Sequence, residues 1–137
     1  MADFSNAVQT AIFNRLTSGL TPIAVYDAPP HQLDGQPYTQ FPFVTMGDDT
    51  LTPFDTDTSL GAEVTCTIHI WSRYKGRKET KTIMASIYNL LHRQASALSA
   101  SGVRFVDCLW EFGEVIEEID GATRHGVCRY RLVLETS

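Results

Sequence analysis

The feature that most constrains the fold is an eleven-residue segment, 62–72, in which two kinds of side chain alternate strictly. One set of positions is small or apolar, and the other is polar or aromatic: Ala62, Val64, Cys66, Ile68 and Ile70 against Glu63, Thr65, Thr67, His69 and Trp71. Because successive side chains of a strand point to opposite faces, this pattern predicts a strand that is buried on one face only. Antiparallel sheets commonly have one covered and one open face, so we expect a central antiparallel strand.

Two segments have a helical period instead. In residues 3–18, apolar side chains recur at three- and four-residue steps: Phe4, Ala7, Val8, Ala11, Ile12 and Leu16. A second stripe, formed by Ile83, Ile87, Leu90 and Leu91, predicts a helix over about 79–97. Each stripe predicts an amphipathic helix that packs one face against a core.

Shorter strands are predicted at 23–27, 43–49, 103–112, 114–119 and 127–135. Prolines and polar residues without a period indicate loops at 27–42 and 49–61, and an Asp-Gly pair indicates a turn at 120–126. The order α-β-β-β-α-β-β-β predicts a single α+β domain, 1–137, in which two helices pack on one face of an antiparallel β-sheet.

Several classes of protein are disfavoured by the chain as a whole. No apolar run approaches the length that crosses a bilayer, so we expect no membrane partner. The first residues, MADFSNAVQT, lack the apolar centre of a secretory signal, which favours assembly in a cytoplasm.

Metal binding is not expected from the cysteine and histidine spacing. The chain has three cysteines, none in a CxxC pair: Cys66, Cys108 and Cys128. We expect them to be reduced and buried. In CTIH, Cys66 and His69 point to opposite faces of one strand and therefore cannot share an ion. Asp55 and Asp57 lack the further oxygen ligands of a calcium loop.

Catalysis is also not expected. The sequence contains no phosphate-binding glycine motif and no nucleophile elbow. The histidines are scattered over a loop, a strand, a helix and a turn, without an evident base or orienting partner: His31, His69, His92 and His125. We therefore predict no catalytic residues and no cofactor.

Charge is distributed unevenly. We call the cluster Arg73, Lys75, Arg77, Lys78 and Lys81 the basic turn, and the cluster Asp107, Glu111, Glu114, Glu117, Glu118 and Asp120 the acidic segment. Each is compatible with a solvated surface. Alternatively, the two clusters meet across a subunit boundary, and such a head-to-tail contact between identical chains closes a ring. A third interpretation is a nucleic-acid contact at 71–81, which the net charge of −5 disfavours.

The polar face of the long strand adds to the second interpretation. Trp71 points away from the predicted core, and Arg129 and Arg131 are expected on the same face. Tryptophan and arginine are enriched at the centres of interfaces, although the proline-rich loop of the same chain is an equally good cover for Trp71. The candidate subunit-interface residues are Trp71, Arg73, Lys75, Arg77, Lys78, Glu114, Glu117, Glu118, Arg129 and Arg131.

The order of sequence motifs resembles a known family. The motifs are VYDAPP at 25–30, FPFVTMGDD at 41–49, VTCTIHIWSRYKGRKETKTIMASIYNLL at 64–91 and DGATRHGVCRYRLVLE at 120–135. In this order the chain is similar to the tail completion, or tail terminator, proteins of long-tailed phages and gene transfer agents. The resemblance covers nearly the whole chain.

The resemblance implies a structural virion protein with a small α+β fold, without catalysis or cofactor. Family members form a hexameric ring on the tail tube, which ends tube polymerisation and joins the tail to the head–neck connector. The implied partners are further copies of the chain, the major tail tube protein and the connector protein. Double-stranded DNA passes through the lumen without specific binding, and the net charge of −5 suits a lumen that repels phosphate.

Three alternatives stay open from the sequence. A head-completion or neck adaptor of the same particle has no feature that separates it from a tail terminator. A small nucleic-acid-binding module would use 71–81, and an enzyme would use His69 or His125 as its base. The two long loops, 27–42 and 49–61, are expected to contact the tube and the connector.

Overall fold

The structure is a computed structural model that describes residues 3–27 and 41–137. Its helices and strands are α1 (Phe4–Gly19), β1 (Ala24–Tyr26), β2 (Phe43–Pro53), β3 (Gly61–Ser72), α2 (Lys78–Leu91), β4 (Val103–Glu117) and β5 (Arg124–Thr136), with a 3-10 turn at Ala95–Ala97. The described strands form one sheet in the order β1-β2-β3-β5-β4. The predicted α+β class and the central position of the 62–72 strand are confirmed.

The alternating pattern of β3 is confirmed by burial. The side chains of Val64, Cys66, Ile68 and Ile70 are fully buried, whereas the intervening positions are partly exposed. The buried face packs against α1 and α2, which also touch each other. Burying each aliphatic side chain of this row contributes about 1.5–3 kcal/mol to the stability of the fold.

Both helices bury most of the stripes that their sequences predict, although Leu90 of α2 is only partly buried. The six apolar side chains of the α1 stripe are all buried, and Asp3 caps the helix by accepting a hydrogen bond from the Asn6 backbone N–H at 3.1 Å. In α2 the buried apolar residues are Ile83, Ile87 and Leu91. Within the described ranges, neither helix has the length and apolarity that crossing a bilayer demands.

Four predicted boundaries are wrong, and one of them is the start of β5, which lies at Arg124 inside the turn predicted at 120–126. The strands predicted at 103–112 and 114–119 are one strand, β4, because register shifts at Phe105/Asp107 and Trp110/Phe112 absorb its irregularities while pairing with β5 continues. These β-bulges break the period that a uniform strand would show. The order therefore ends in two strands after α2, not three.

The other two boundaries concern α2 and β2. Helix α2 ends at Leu91 instead of about 97, and the Arg93 backbone N–H then donates to the Cys108 carbonyl of β4 at 2.7 Å. Strand β2 extends to Pro53, where a loop was expected, because its exposed end pairs with β3 up to Pro53↔Ala62. The sheet is also not purely antiparallel, since β1 runs parallel to β2. The predicted loop at 27–42 lies almost wholly outside the described residues.

Candidate functional site

The face of the sheet opposite the helices carries the polar set of β3. Trp71 pairs with His125 of β5, Thr67 with Arg129 and Thr65 with Arg131. Because paired residues share a face, Trp71 and both arginines lie on this outer face, as the sequence predicts. We define the outer face as the side of the sheet that presents these residues.

An aromatic and imidazole cluster occupies one end of the outer face. The rings of Trp71 and His125 stack with centroids 3.9 Å apart and an interplanar angle of 10°. The Trp71 Nε1–H donates to the Thr45 hydroxyl at 3.0 Å, which satisfies the indole within the chain. Phe43 flanks the indole on the neighbouring strand, with centroids 6.3 Å apart. Trp71 is thus partly covered by its own sheet neighbours, and His31 and the proline-rich loop lie outside the described residues.

Two histidines that sequence analysis left without partners form a hydrogen-bonded chain. His69 Nδ1 lies 2.7 Å from His125 Nε2, and His125 Nδ1 lies 2.8 Å from a Glu118 carboxylate oxygen. The pKa of His69 is lowered, first because burial disfavours the charged ring and second because His125 is adjacent. The pairing of β3 with β5 brings the two rings together, and this register is the signal that the sequence did not supply.

In the described part of the chain, the ring nitrogens of the His69–His125 pair are occupied by neighbouring groups. Both ring nitrogens of His125 are engaged by His69 and Glu118. The remaining nitrogen of His69, Nε2, is packed against Gly47, where an added Cβ would lie only 2.4 Å from it. Three of the four ring nitrogens of the pair are therefore held in hydrogen bonds, and the fourth lies against the β2 backbone.

Metal-binding clusters are also absent from the described parts of the chain, where no three potential ligands converge. The three cysteines are free and buried, as predicted. Burial raises the pKa of the Cys128 thiol to about 12, and burial together with Asp107 raises that of Cys108 to about 12. These thiols are held in the protonated form, which does not ligate metals.

The basic turn connects β3 to α2 and is tied down by its own polar residues. The Ser72 hydroxyl donates to a Glu79 carboxylate oxygen at 2.7 Å and accepts from the Tyr74 backbone N–H at 3.1 Å. The side chain of Arg77, at the helix N-cap, makes no capping hydrogen bond, and Glu79 is the acid of the first turn of α2. The turn therefore presents its basic side chains on an ordered backbone.

The end of the acidic segment lies beside the basic turn in the same chain. Arg73 Nη2 lies 3.7 Å from the Asp120 carboxylate, and Arg124 Nη2 lies 3.7 Å from that of Glu117. Hydrogen bonds from the backbone of Thr123 and Ala122 lower the pKa of Asp120 to about 2. The basic and acidic clusters thus meet within one chain at this end of the sheet, so neither needs a neighbouring subunit for partial compensation.

The other candidate residues lie around the same end and along the outer face. Arg77 and Lys81 face Glu114 across an open depression of about 450 Å³. Arg129 stacks over Phe112 at 5.6 Å, and Arg131 Nη1 lies 3.7 Å from the Glu63 carboxylate on the adjacent strand. Lys75 and Lys78 form no ion pair with any residue in the described ranges.

Comparison with solved structures defines the class of protein first. A chain of the structure "Virion of native gene transfer agent (GTA) particle" superposes with a TM-score of 0.77 at 21% identity, covering 98% of this chain and 99% of that one. The "Structure of bacteriophage SPP1 gp17 protein" superposes with a TM-score of 0.58 at 29% identity, covering 94% and 89%. The fold is therefore one found in the structural proteins of phage-like particles.

Sequence comparison then defines the family. The profile of the family "Tail completion protein gp17" matches residues 10–135. The tail completion protein gp17 of Bacillus phage SPP1 is 30% identical over 97 residues, which are 71% of this chain and 70% of that protein. The chain belongs to the tail completion protein gp17 family. It is a structural component of a virion or gene-transfer-agent particle, as the motif order predicts.

Proposed function

We propose that the chain forms a ring, with six copies, that caps the tail tube and ends its polymerisation. The same ring joins the tail to the head–neck connector, so its partners are its own copies, the major tail tube protein and the connector protein. Membership of the tail completion family is the observation that carries this proposal. Double-stranded DNA passes through the lumen without being held, and the net charge of −5 is consistent with that role.

The proposed subunit contacts involve the end of the sheet where the candidate residues gather. The basic turn, the Trp71 cluster and the acidic residues Glu114, Glu117 and Glu118 all border this end, and Arg129 and Arg131 continue along the outer face. Tryptophan and arginine supply large contact areas at interfaces, and charges at the rim select the orientation of the partner. The role is mechanical, so the chain performs no catalysis and needs no cofactor.

The proposed role is tested by producing particles without this chain and examining their tails. A tail terminator stops the tube, so its loss is expected to give tails of irregular, increased length that do not join heads. Supplying the chain in trans restores uniform tails, and a reconstruction of those particles shows six copies between the tube and the connector.

Two results would overturn the proposal. One is a chain that is absent from purified particles or present there as a single copy. The other is that particles assembled without the chain have tails of normal length but defective heads. That result would place the chain one layer higher, as a neck adaptor.

A further inference from the structure

A groove between α1 and the β2–β3 hairpin is open and lined mostly by apolar side chains. Its volume is about 270 Å³, and it is lined by Phe4, Leu51, Thr52, Pro53, Asp55, Leu60, Gly61 and Ala62. Leu51, Phe54 and Leu60 around the hairpin are each about half exposed. Apolar groups clustered in this way mark a contact surface more often than isolated ones do.

The backbone of the hairpin keeps this groove open. A carboxylate oxygen of Asp55 accepts a hydrogen bond from the Gly61 backbone N–H at 3.0 Å, and the Phe54 N–H donates to the Gly61 carbonyl at 3.0 Å. A Cβ at Gly61 would lie 2.5 Å from the Phe54 carbonyl oxygen, so the close approach of the two strands requires glycine there. The groove is thus a preformed feature of the fold.

The basic turn presents a side chain that suits such a groove. Tyr74 is 43% exposed, and its backbone is fixed through Ser72 and Glu79. A tyrosine side chain buries a large apolar ring while keeping its hydroxyl at the polar edge of an interface. Lys75 and Arg77 follow Tyr74 closely in sequence, so an acidic partner is favoured.

Charge around the groove is complementary to that turn. Residues 47–62 of the hairpin contain no lysine or arginine and carry Asp48, Asp49, Asp55 and Asp57. Asp3, at the cap of α1, directly precedes Phe4 of the groove. The chain therefore carries two complementary surfaces. One is an apolar groove with acidic residues around it, and the other is an exposed aromatic side chain with basic neighbours.

The two surfaces lie at opposite ends of β3, which separates Ala62 of the groove from Ser72 beside the turn by about 30 Å at the usual rise per residue. A chain therefore cannot fill its own groove with its own turn. A contact between different surfaces of identical chains is heterologous, and it closes a ring when the rotation between copies is suitable.

We propose that Tyr74 and the basic turn of one copy dock into the groove between α1 and the β2–β3 hairpin of the next copy. This inference rests on the proposed function, because it names the surfaces that meet in the ring. It replaces the acidic segment with the hairpin as the partner of the basic turn.

Thiol crosslinking in assembled particles tests the contact. Particles are made with a chain carrying Lys75→Cys and Leu60→Cys, which leaves Tyr74 in place, and treated with a short bismaleimide. The expected product is a ladder of covalent multimers, because each copy links to the next. The native cysteines are buried and do not compete. The matched control carries Tyr88→Cys with Leu60→Cys, since Tyr88 is also exposed but lies on α2 away from the turn, and it should stay monomeric.

The outcomes separate this inference from the proposed function. Particles that contain complete rings but give no ladder with the Lys75→Cys and Leu60→Cys pair overturn the docking contact alone. Particles without any ring of this chain overturn both. A crosslink from the cysteine at position 75 to a different tail protein also overturns the contact.

Substitutions provide an independent measurement on the same contact. Tyr74→Ala is expected to lower incorporation of the chain into rings by about tenfold or more, as for other aromatic anchors at interface centres. Asp57→Lys is expected to lower it too, and adding Lys75→Glu to Asp57→Lys should restore part of the loss. Additive losses in that double variant would contradict the pairing of the two surfaces.

Discussion

The imidazole rings of His69 and His125 lie so close that they share a single proton between them. The groups that face His69 are His125 of β5, Glu118 beyond it, and Asp48 of β2, whose charge favours protonation but less than burial opposes it. Two fully protonated rings would place two N–H groups head to head, so the contact cannot hold a charge on both histidines at once.

This lowered pKa predicts that stability falls on acidification. The unfolded chain takes up a proton on His69 near the ordinary value of 6.5, whereas the folded chain does so only at lower pH. Because the unfolded state then binds more protons, the free energy of unfolding decreases as the pH falls from above 6.5 through the lowered folded-state pKa. Urea unfolding between about pH 7.5 and about pH 5.5 measures this slope.

Two variants identify the source of the slope. His69→Asn keeps a hydrogen-bonding group toward His125 but cannot titrate, so its slope should be smaller. His92→Asn is the matched control. His92 lies on the other side of the molecule, where its Nδ1 accepts a hydrogen bond from the Trp110 backbone N–H at 3.1 Å. It is expected to lose stability through the loss of this hydrogen bond, and a slope in His69→Asn equal to that of the unsubstituted protein would contradict the assignment.

Helix α2 reaches the sheet over a glycine. A Cβ at Gly126 of β5 would lie 2.7 Å from the Thr80 Cγ2 of α2 and 3.3 Å from the Ile70 Cβ of β3. Thr80 is fully buried and β-branched, so it cannot swing away without moving the helix. The distance between α2 and the sheet is therefore set by the absence of a side chain at this position.

Gly126→Ala is expected to destabilise the fold by about 1–3 kcal/mol through overpacking. Gly76→Ala, in the turn that leads into α2, is the control, because no atom lies within 4 Å of its added Cβ and it should change stability by less than about 0.5 kcal/mol. Urea unfolding of the two variants gives both values. A Gly126→Ala protein as stable as the control would mean that α2 is not packed as tightly as the structure indicates.

The parts of the fold that follow from local periodicity could be predicted from the sequence. Strand β3 alternates buried and partly exposed side chains along its length, and helix α1 repeats an apolar stripe over several turns. The burial of their side chains confirms both patterns. Strand β4 could not be delimited, because its two bulges interrupt the period and only pairing with β5 reveals its continuity. The same reason explains why the His69–His125 contact was missed, since it depends on the register between strands far apart in sequence.

At the scale of the whole molecule, positive and negative side chains are interspersed at the end of the sheet beside the basic turn. Arg73 is paired with Asp120, Arg124 with Glu117, and Glu114 lies across a shallow depression from Arg77. Summed over the chain, the net charge is −5. A phosphate that approached Arg73 or Arg77 would also meet the carboxylate of Asp120 or Glu114, which reduces the electrostatic gain from counterion release.

We therefore expect no measurable binding of the isolated chain to double-stranded DNA, even at about 20 mM salt, where phosphate contacts are strongest. Fluorescence anisotropy with a labelled duplex measures this, and the triple reversal Lys75→Glu, Arg77→Glu and Lys78→Glu serves as the comparison. Both proteins should give flat titrations, while only the reversal variant should fail to enter rings. An affinity that falls steeply with added salt and disappears in the triple variant would contradict this, and would assign the basic turn to DNA instead of to the neighbouring copy.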